Sequence, residues 1–197
     1  MNTKDAILSR RSTRRYLEKE VPQELVEEVI EAGRYAPSGG NSQLTHFIVI
    51  SDPEVLAQLE KTVQEQFARM EIHEGMYRSK VSSITRSKAG NYHFTYGAPV
   101  LIVTASRRDY DNHMADCAAA VENMLVRAND LDLGSCYINQ LHWLNENEEI
   151  RRIFTSFGLQ EEERIYASLV VGYPDTEDGL PERKPLPRTG NKVTYIR

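Results

Sequence analysis

Three short runs of apolar, largely β-branched residues constrain this chain more than anything else in it: Phe47–Ile50, Val100–Val103 within Pro99–Ala105, and Ile165–Val171. None approaches the run of about 18 apolar residues that a membrane span needs. The second and third are apolar on both faces, the pattern of inner strands covered by helices on each side. Such a sheet demands amphipathic helices for both of its faces, and the remaining sequence supplies them.

A short helix is expected from Thr3 to Arg10. A second runs from Pro22 to Tyr35, where Leu25, Val26, Val29 and Ile30 share one face and Gly33 and Pro37 punctuate the end. Asp52-Pro53 is a cap and first-turn pair, and Leu56, Leu59, Val63, Phe67 and Met70 then step by threes and fours along a long helix. Met114 to Leu131 is alanine-rich with two apolar faces, which suits a core or a subunit interface. Cys136–Ile138 reads as a brief strand, and Ile150, Ile153, Phe154 and Phe157 mark one more helix, ended by Gly158. Glu71 to Tyr96 is polar and carries no assignable pattern; Arg78, Lys80, Arg86 and Lys88 fit a solvated face.

Helices and strands mix without strict alternation. The expected fold is therefore α+β, a mixed central sheet flanked by helices in three layers. At 197 residues, with no repeat or linker, residues 1–197 are expected to form one domain. Beyond Gly172-Tyr173-Pro174 the chain turns polar and proline-rich, and Lys192–Ile196 is expected to be an extended tail that packs on a partner subunit.

Acidic residues outnumber basic ones, 29 to 24, so no positive field draws the molecule to nucleic acid or anionic lipid. Cys117 and Cys136 sit in apolar surroundings and suggest buried thiols in a reducing compartment. The start, Met1-Asn2-Thr3-Lys4, lacks the apolar core of a secretory signal, so a soluble, cytoplasmic protein is expected.

Three clusters can carry chemistry. Arg10-Arg11-Ser12-Thr13-Arg14-Arg15-Tyr16 packs four guanidinium groups beside a hydroxyl donor, a pattern able to grip phosphate, although a basic helix end complementing the dipole is an equal reading. Ala36-Pro37-Ser38-Gly39-Gly40-Asn41-Ser42-Gln43 is a turn whose paired glycines admit close backbone approach, with Ser38, Asn41 and Gln43 offering donors and acceptors; a plain loop is the alternative. Pro181-Glu182-Arg183-Lys184-Pro185-Leu186-Pro187-Arg188 sets cations in a stiff frame, or is simply a solvated tail. The glycine spacings of the P-loop and the dinucleotide fingerprint are missing, as is the Gly-x-Ser-x-Gly elbow of a serine hydrolase. The five histidines show no paired ligand spacing for a metal.

Taken together, the arginine-serine cluster, the Ala-Pro-Ser-Gly-Gly-Asn-Ser-Gln turn, and Val-Val-Gly-Tyr-Pro followed by Arg-Lys-Pro resemble the nitroreductase family in order and spacing across almost the whole chain. Tyr96-Gly97-Ala98-Pro99 before a strand and Leu133-Gly134-Ser135-Cys136-Tyr137-Ile138 after a helix extend the likeness.

The resemblance implies a homodimer with two FMN molecules between protomers, each touched by both chains. It assigns the phosphate end to Arg10, Arg11 and Ser12, the pyrimidine edge to Arg14, and the partner's contribution to the turn with Pro37, Ser38, Gly39, Asn41 and Gln43. Arg183, with Lys184, would complete the phosphate grip, Arg188 being a third cation nearby. Tyr137, Ile138, Asn139 and Gln140 would pass along the ring. Flavin carries the hard step, so the protein supplies placement and charge and needs no catalytic side chain of its own.

The implied reaction is ping-pong transfer from NADH or NADPH to a small electrophilic acceptor such as a nitroaromatic or quinone. The same scaffold also serves dehalogenation, flavin fragmentation and ring dehydrogenation, and a non-enzymatic phosphate-ligand or flavin sensor is the reading from outside enzymology. Pro181 stands where some family members place a lysine, and Asn139-Gln140 replaces glycine-containing versions of that loop.

Overall fold

The computed structural model describes residues 1–197. Four strands, β1 (His46–Ile50), β2 (Val100–Arg107), β3 (Gly134–Ile138) and β4 (Glu163–Gly172), form one sheet in the order β1-β2-β4-β3. Where a mixed sheet is expected from sequence, every named pair is antiparallel, and the one parallel pairing is the isolated bridge between Ser12 and Ser135. The inner strands β2 and β4 are buried almost end to end, as their unbroken apolar runs require.

Helices α1 (Thr3–Ser9), α2 (Gln23–Arg34) and α5 (His113–Asp130) are joined by α3 (Pro53–Ala68), α4 (Arg78–Lys88), α6 (Gln140–Trp143) and α7 (Glu148–Ser156). They divide between the faces. Leu101, Val103 and Ala105 point from β2 toward α3, α4, α6 and α7, where Leu59, Val63, Phe67, Ile84 and Phe154 close one core. Val100 and Ile102 point the other way, toward Val29 of α2 and Val121, Met124 and Leu125 of α5. The architecture is α+β in three layers, and each large side chain buried in these cores stabilises it by about 1.5–3 kcal/mol.

Local chemistry sets the boundaries. Asp52 Oδ1 accepts the N–H groups of Glu54 and Val55 at 2.9 and 3.0 Å, and Pro53 opens α3 without a wasted donor. Gly33 lets α2 lie close on α5, because a Cβ there would stand 2.9 Å from Met124 Cγ and 3.1 Å from the Phe47 ring. Thr104 pairs with Ala167 but Ala105 with Ile165, so Tyr166 is an extra residue in β4. The bulge turns both Tyr166 and Ala167 toward the α2–α5 side, and Tyr166 stacks on His113 with ring centroids 4.1 Å apart.

The two sheet edges differ. The outer edge of β3 is covered by the segment after α1: Thr13 N–H donates to the Ser135 carbonyl at 2.9 Å, and Gly134 has no room for a Cβ beside Thr13. No strand covers the outer edge of β1, and a groove of about 1720 Å³ lies there, with Val26, Ile30, Val49, Leu56 and Pro99 among its walls. No helix is long and apolar enough to cross a membrane.

Candidate functional site

The arginine cluster follows α1 onto the edge of β3. Arg10 lies 3.6 Å from the Glu122 carboxylate through Nε. Arg11 is half-buried, and its Nε is a buried donor with no partner. An unpaired buried guanidinium N–H is costly and rare in a folded chain, so its presence marks a place where an acceptor is wanted. Ser12 is exposed at the Ser135 bridge. Arg14 is exposed with its guanidinium carbon 6.0 Å from the Tyr96 ring centre.

Cys136 lies beneath these groups. Burial pushes its thiol up from the ordinary range, while Arg14, a hydrogen bond from Ser12 and Arg10 pull the other way. Tyr16, whose hydroxyl donates to the Thr13 carbonyl at 2.8 Å, is held well above the usual phenol range by burial. Arg10, Ser12 and Arg14 therefore share one patch around the start of β3.

From β3 the chain runs directly into the remaining residues of that group. Tyr137 is half-buried and its phenol is raised by burial. Ile138 and Gln140 are buried, and Asn139 is half-buried between them. Gln140 is tied down at both ends: its Oε1 accepts the Asn139 N–H at 3.0 Å, and its Nε2 donates to the Tyr92 hydroxyl at 2.6 Å. Ser83 of α4 stands 2.7 Å from the same hydroxyl. The helix that the sequence does not announce thus anchors this loop.

Arg183 reaches the arginine patch through Asn129 of α5. Its Nη2 donates to the Asn129 carbonyl at 2.6 Å and also meets the Asp132 carboxylate. Asn129 Nδ2 donates to the Ala6 carbonyl and Ser9 Oγ, each at 3.0 Å, directly before Arg10. Arg10 and Arg183 are thereby on the same side of the molecule, but part of the Arg183 guanidinium is already engaged. Lys184 and Arg188 are exposed and make no ion pair.

The turn holding Pro37, Ser38, Gly39, Asn41 and Gln43 is elsewhere. Gly39 N–H donates to the carboxylate of Asp116 in the first turn of α5, whereas Asn129 stands in its last turn. Thirteen residues of helix put about 20 Å between those attachment points. Arg10, facing Glu122, attaches between those two points, and no hydrogen bond or ion pair links the turn to Arg10, Arg11, Ser12 or Arg14. Asp116, Asn129, Tyr92 and Tyr110, which organise these segments, carry no motif that sequence reading could have used.

The chemistry of the patch fits a phosphorylated ligand: guanidinium groups of Arg10 and Arg14, the Ser12 hydroxyl, and beside them in the chain the unpartnered buried donor of Arg11. No side chain in it pairs a nucleophile with a base.

Comparison with known proteins places the chain in a family. Residues 7–173 match the family model described as the nitroreductase family. A solved nitroreductase with bound FMN from Bacteroides fragilis is 28% identical, superposes with a TM-score of 0.87, and is covered over 100% of both chains. A protein of Archaeoglobus fulgidus, provisionally named NADH dehydrogenase/NAD(P)H nitroreductase, is 26% identical over 181 residues, 87% of this chain and 84% of its own. Human iodotyrosine deiodinase 1 is 25% identical over 189 residues, 90% of this chain and 63% of its own. The chain belongs to the nitroreductase family.

Proposed function

We infer that this chain is one protomer of an FMN-dependent oxidoreductase that oxidises NADH or NADPH and reduces a small electrophilic acceptor, nitroaromatic or quinone in type, by a ping-pong mechanism. The observation that carries the inference is the gathering of Arg10, Ser12 and Arg14 around Cys136 at the start of β3, next in the chain to Arg11, whose buried Nε has no partner. FMN, when bound, supplies the two-electron chemistry, taking reducing equivalents from the nicotinamide and passing them to the acceptor.

The residues supply placement. Arg10, Arg11 and Ser12 bind the phosphate through charge-assisted hydrogen bonds. Arg14 sets positive charge at the ring's pyrimidine edge, and residues 137–140 form a fixed wall along it. Since the Asn139 N–H is already accepted by Gln140, the amides available to the ring are those of its neighbours.

Two copies complete each site. The lack of any hydrogen bond or ion pair between the turn and the arginines of the same chain supports contribution of Ser38, Asn41 and Gln43 by a second chain. Exposed Ile7, Leu8 and Met114 give that chain an apolar surface to cover. The tail supports it too. Val193, Tyr195 and Ile196 are exposed, residues 183–197 carry Arg183, Lys184, Arg188, Lys192 and Arg197 with no acid, and the groove at the open edge of β1 is lined by Glu20, Glu24, Glu27 and Glu31. A partner's tail laid along that edge pairs both charge and backbone.

The test is direct. The purified protein should be a yellow dimer that oxidises NADH or NADPH with a nitro or quinone acceptor, and dilution to monomers should release FMN. A verified monomer that keeps FMN, or a protein unable to take up added FMN, overturns the inference. Bound FMN without turnover of either acceptor moves the reaction toward dehalogenation, the activity named for the human relative.

A further inference from the structure

The turn that carries Ser38, Asn41 and Gln43 is held in an unusual shape by groups that contact no proposed ligand. Gly40, Asn41 and Gln43 have φ of 59°, 55° and 52°, all in the left-handed region, which glycine adopts freely, asparagine tolerates and glutamine rarely adopts. Two residues from α5 and the segment before it hold it there. Asp116, 8% exposed, accepts the Gly39 N–H through both carboxylate oxygens at 3.3 and 3.2 Å. The Tyr110 hydroxyl donates to Asp116 Oδ2 at 2.8 Å, lies 3.2 Å from the Gly39 carbonyl, and accepts from Ser42 Oγ at 2.9 Å.

The fit leaves no slack. A Cβ at Gly39 would stand 2.0 Å from Asn112 Nδ2 and 2.6 Å from the Tyr110 hydroxyl. Within the turn the Gln43 N–H donates to Ser38 Oγ at 3.1 Å, and the Asn41 and Ser42 N–H groups donate to the Ser38 and Gly39 carbonyls at 2.9 and 3.1 Å. A short, largely exposed turn with Gln43 held in the left-handed region would sample ordinary conformations more often if its outside support were removed. Its side chains would then have to be ordered by whatever they bind, which weakens binding by the fraction of turns still competent.

We propose that Tyr110 and Asp116 are positioning residues that preform the Ser38–Gln43 turn for its ligand. This rests on the reading that the turn contacts FMN across the dimer. The ligand class is unchanged; the assignment adds two residues of α5 and its approach that set affinity without touching FMN.

Tyr110→Phe keeps the ring and removes the hydroxyl; Asp116→Asn keeps the shape and removes the charge. Amide exchange of the FMN-free dimer and FMN titration by fluorescence quenching are measured for each, beside Asn41→Ala. Loss of one such hydrogen bond corresponds to roughly fivefold faster exchange at residues 39–43 and roughly fivefold weaker FMN binding, with exchange in the rest of α5 and the dimer population unchanged. Turn exchange or FMN affinity unchanged in Tyr110→Phe, while Asn41→Ala weakens FMN, overturns the positioning role alone. If Asn41→Ala also leaves FMN affinity unaltered, the turn does not contact the flavin and the proposal falls with that reading.

Discussion

Replacing Asn129 by alanine tests how the arginine patch is held to the body of the protein. Asn129 is 2% exposed, and its amide joins α1 to the C-terminal segment. The substitution removes two donors, to the Ala6 carbonyl and to Ser9 Oγ at 3.0 Å each, and a long 3.4 Å contact from Arg183 Nε. The bond from Arg183 Nη2 to the Asn129 backbone carbonyl survives, since no side chain makes it.

Ser9 is half-buried and can turn its hydroxyl to water, so its loss costs about 0.5 kcal/mol. The Ala6 carbonyl has less access, and leaving it short of a donor costs about 1–2 kcal/mol. A total near 2 kcal/mol corresponds to a fall in Tm of about 4–8 °C for a chain of this size. Thermal unfolding of the FMN-free protein at one fixed concentration reads it, with Asp132→Ala as the control that loosens Arg183 while sparing α1. FMN affinity should fall with Asn129→Ala as well, because Arg10 and Arg11 follow directly from the helix that Asn129 pins. A loss of less than about 0.5 kcal/mol would refute the accounting and show that α1 stays docked without the amide.

Arg11→Ala should weaken FMN by about 1.5–3 kcal/mol, roughly 10- to 150-fold, yet leave the FMN-free Tm unchanged, since its Nε has no protein partner to lose; an equal fall in both would make Arg11 a structural residue. Gly33→Ala gains helix propensity but drives a methyl into Met124 and Phe47, and should destabilise by about 1 kcal/mol; a higher Tm would show unsuspected room between α2 and α5. Burial pushes the Cys117 thiol from its ordinary 9.0 up to about 12, so the folded chain keeps a proton that the unfolded chain gives up. Stability should hold below pH 9 and fall as pH rises toward 12, by about 1.4 kcal/mol per pH unit from this group alone. Urea unfolding across that range should show a shallower fall for Cys117→Ala, with an identical slope counting against the assignment.

The inner strands and the long helices were legible because burial on two faces, or on one helical stripe, leaves a periodic trace in residue type. Helix α4 left none. Its buried face includes Ser83 and Ser87 beside Ile84, and hydroxyls of Ser83 and Thr85 bond back to carbonyls four residues earlier, so polar residues stand where apolar ones would have signalled. Strand β4 begins at Glu163 rather than Ile165 because His46 and Glu146 partner the buried Glu163 and Arg164, a compensation that only the fold supplies. Strand direction was equally hidden: an unbroken apolar run looks the same in parallel and antiparallel sheets, and it conceals the bulge at Tyr166.

For the candidate site, clustering in sequence brought Arg10, Ser12 and Arg14 to one patch, since neighbours in the chain leave the same helix end together. The separation of that patch from the Gly39 turn depends on where along α5 each attaches, Arg10 at Glu122 and Gly39 at Asp116, and no residue type encodes that. The engagement of Arg183 by Asn129 and Asp132 is likewise a product of the tail's path.

The proposed division of the site between two chains has a genetic consequence. Chains ruined at the arginines and chains ruined at the turn can mend each other: every mixed pair contains one hollow built from two undamaged halves. Random pairing of equal amounts would restore about one hollow in four from two parents that each have none. Two alleles that are silent alone would therefore regain colour and turnover when expressed together.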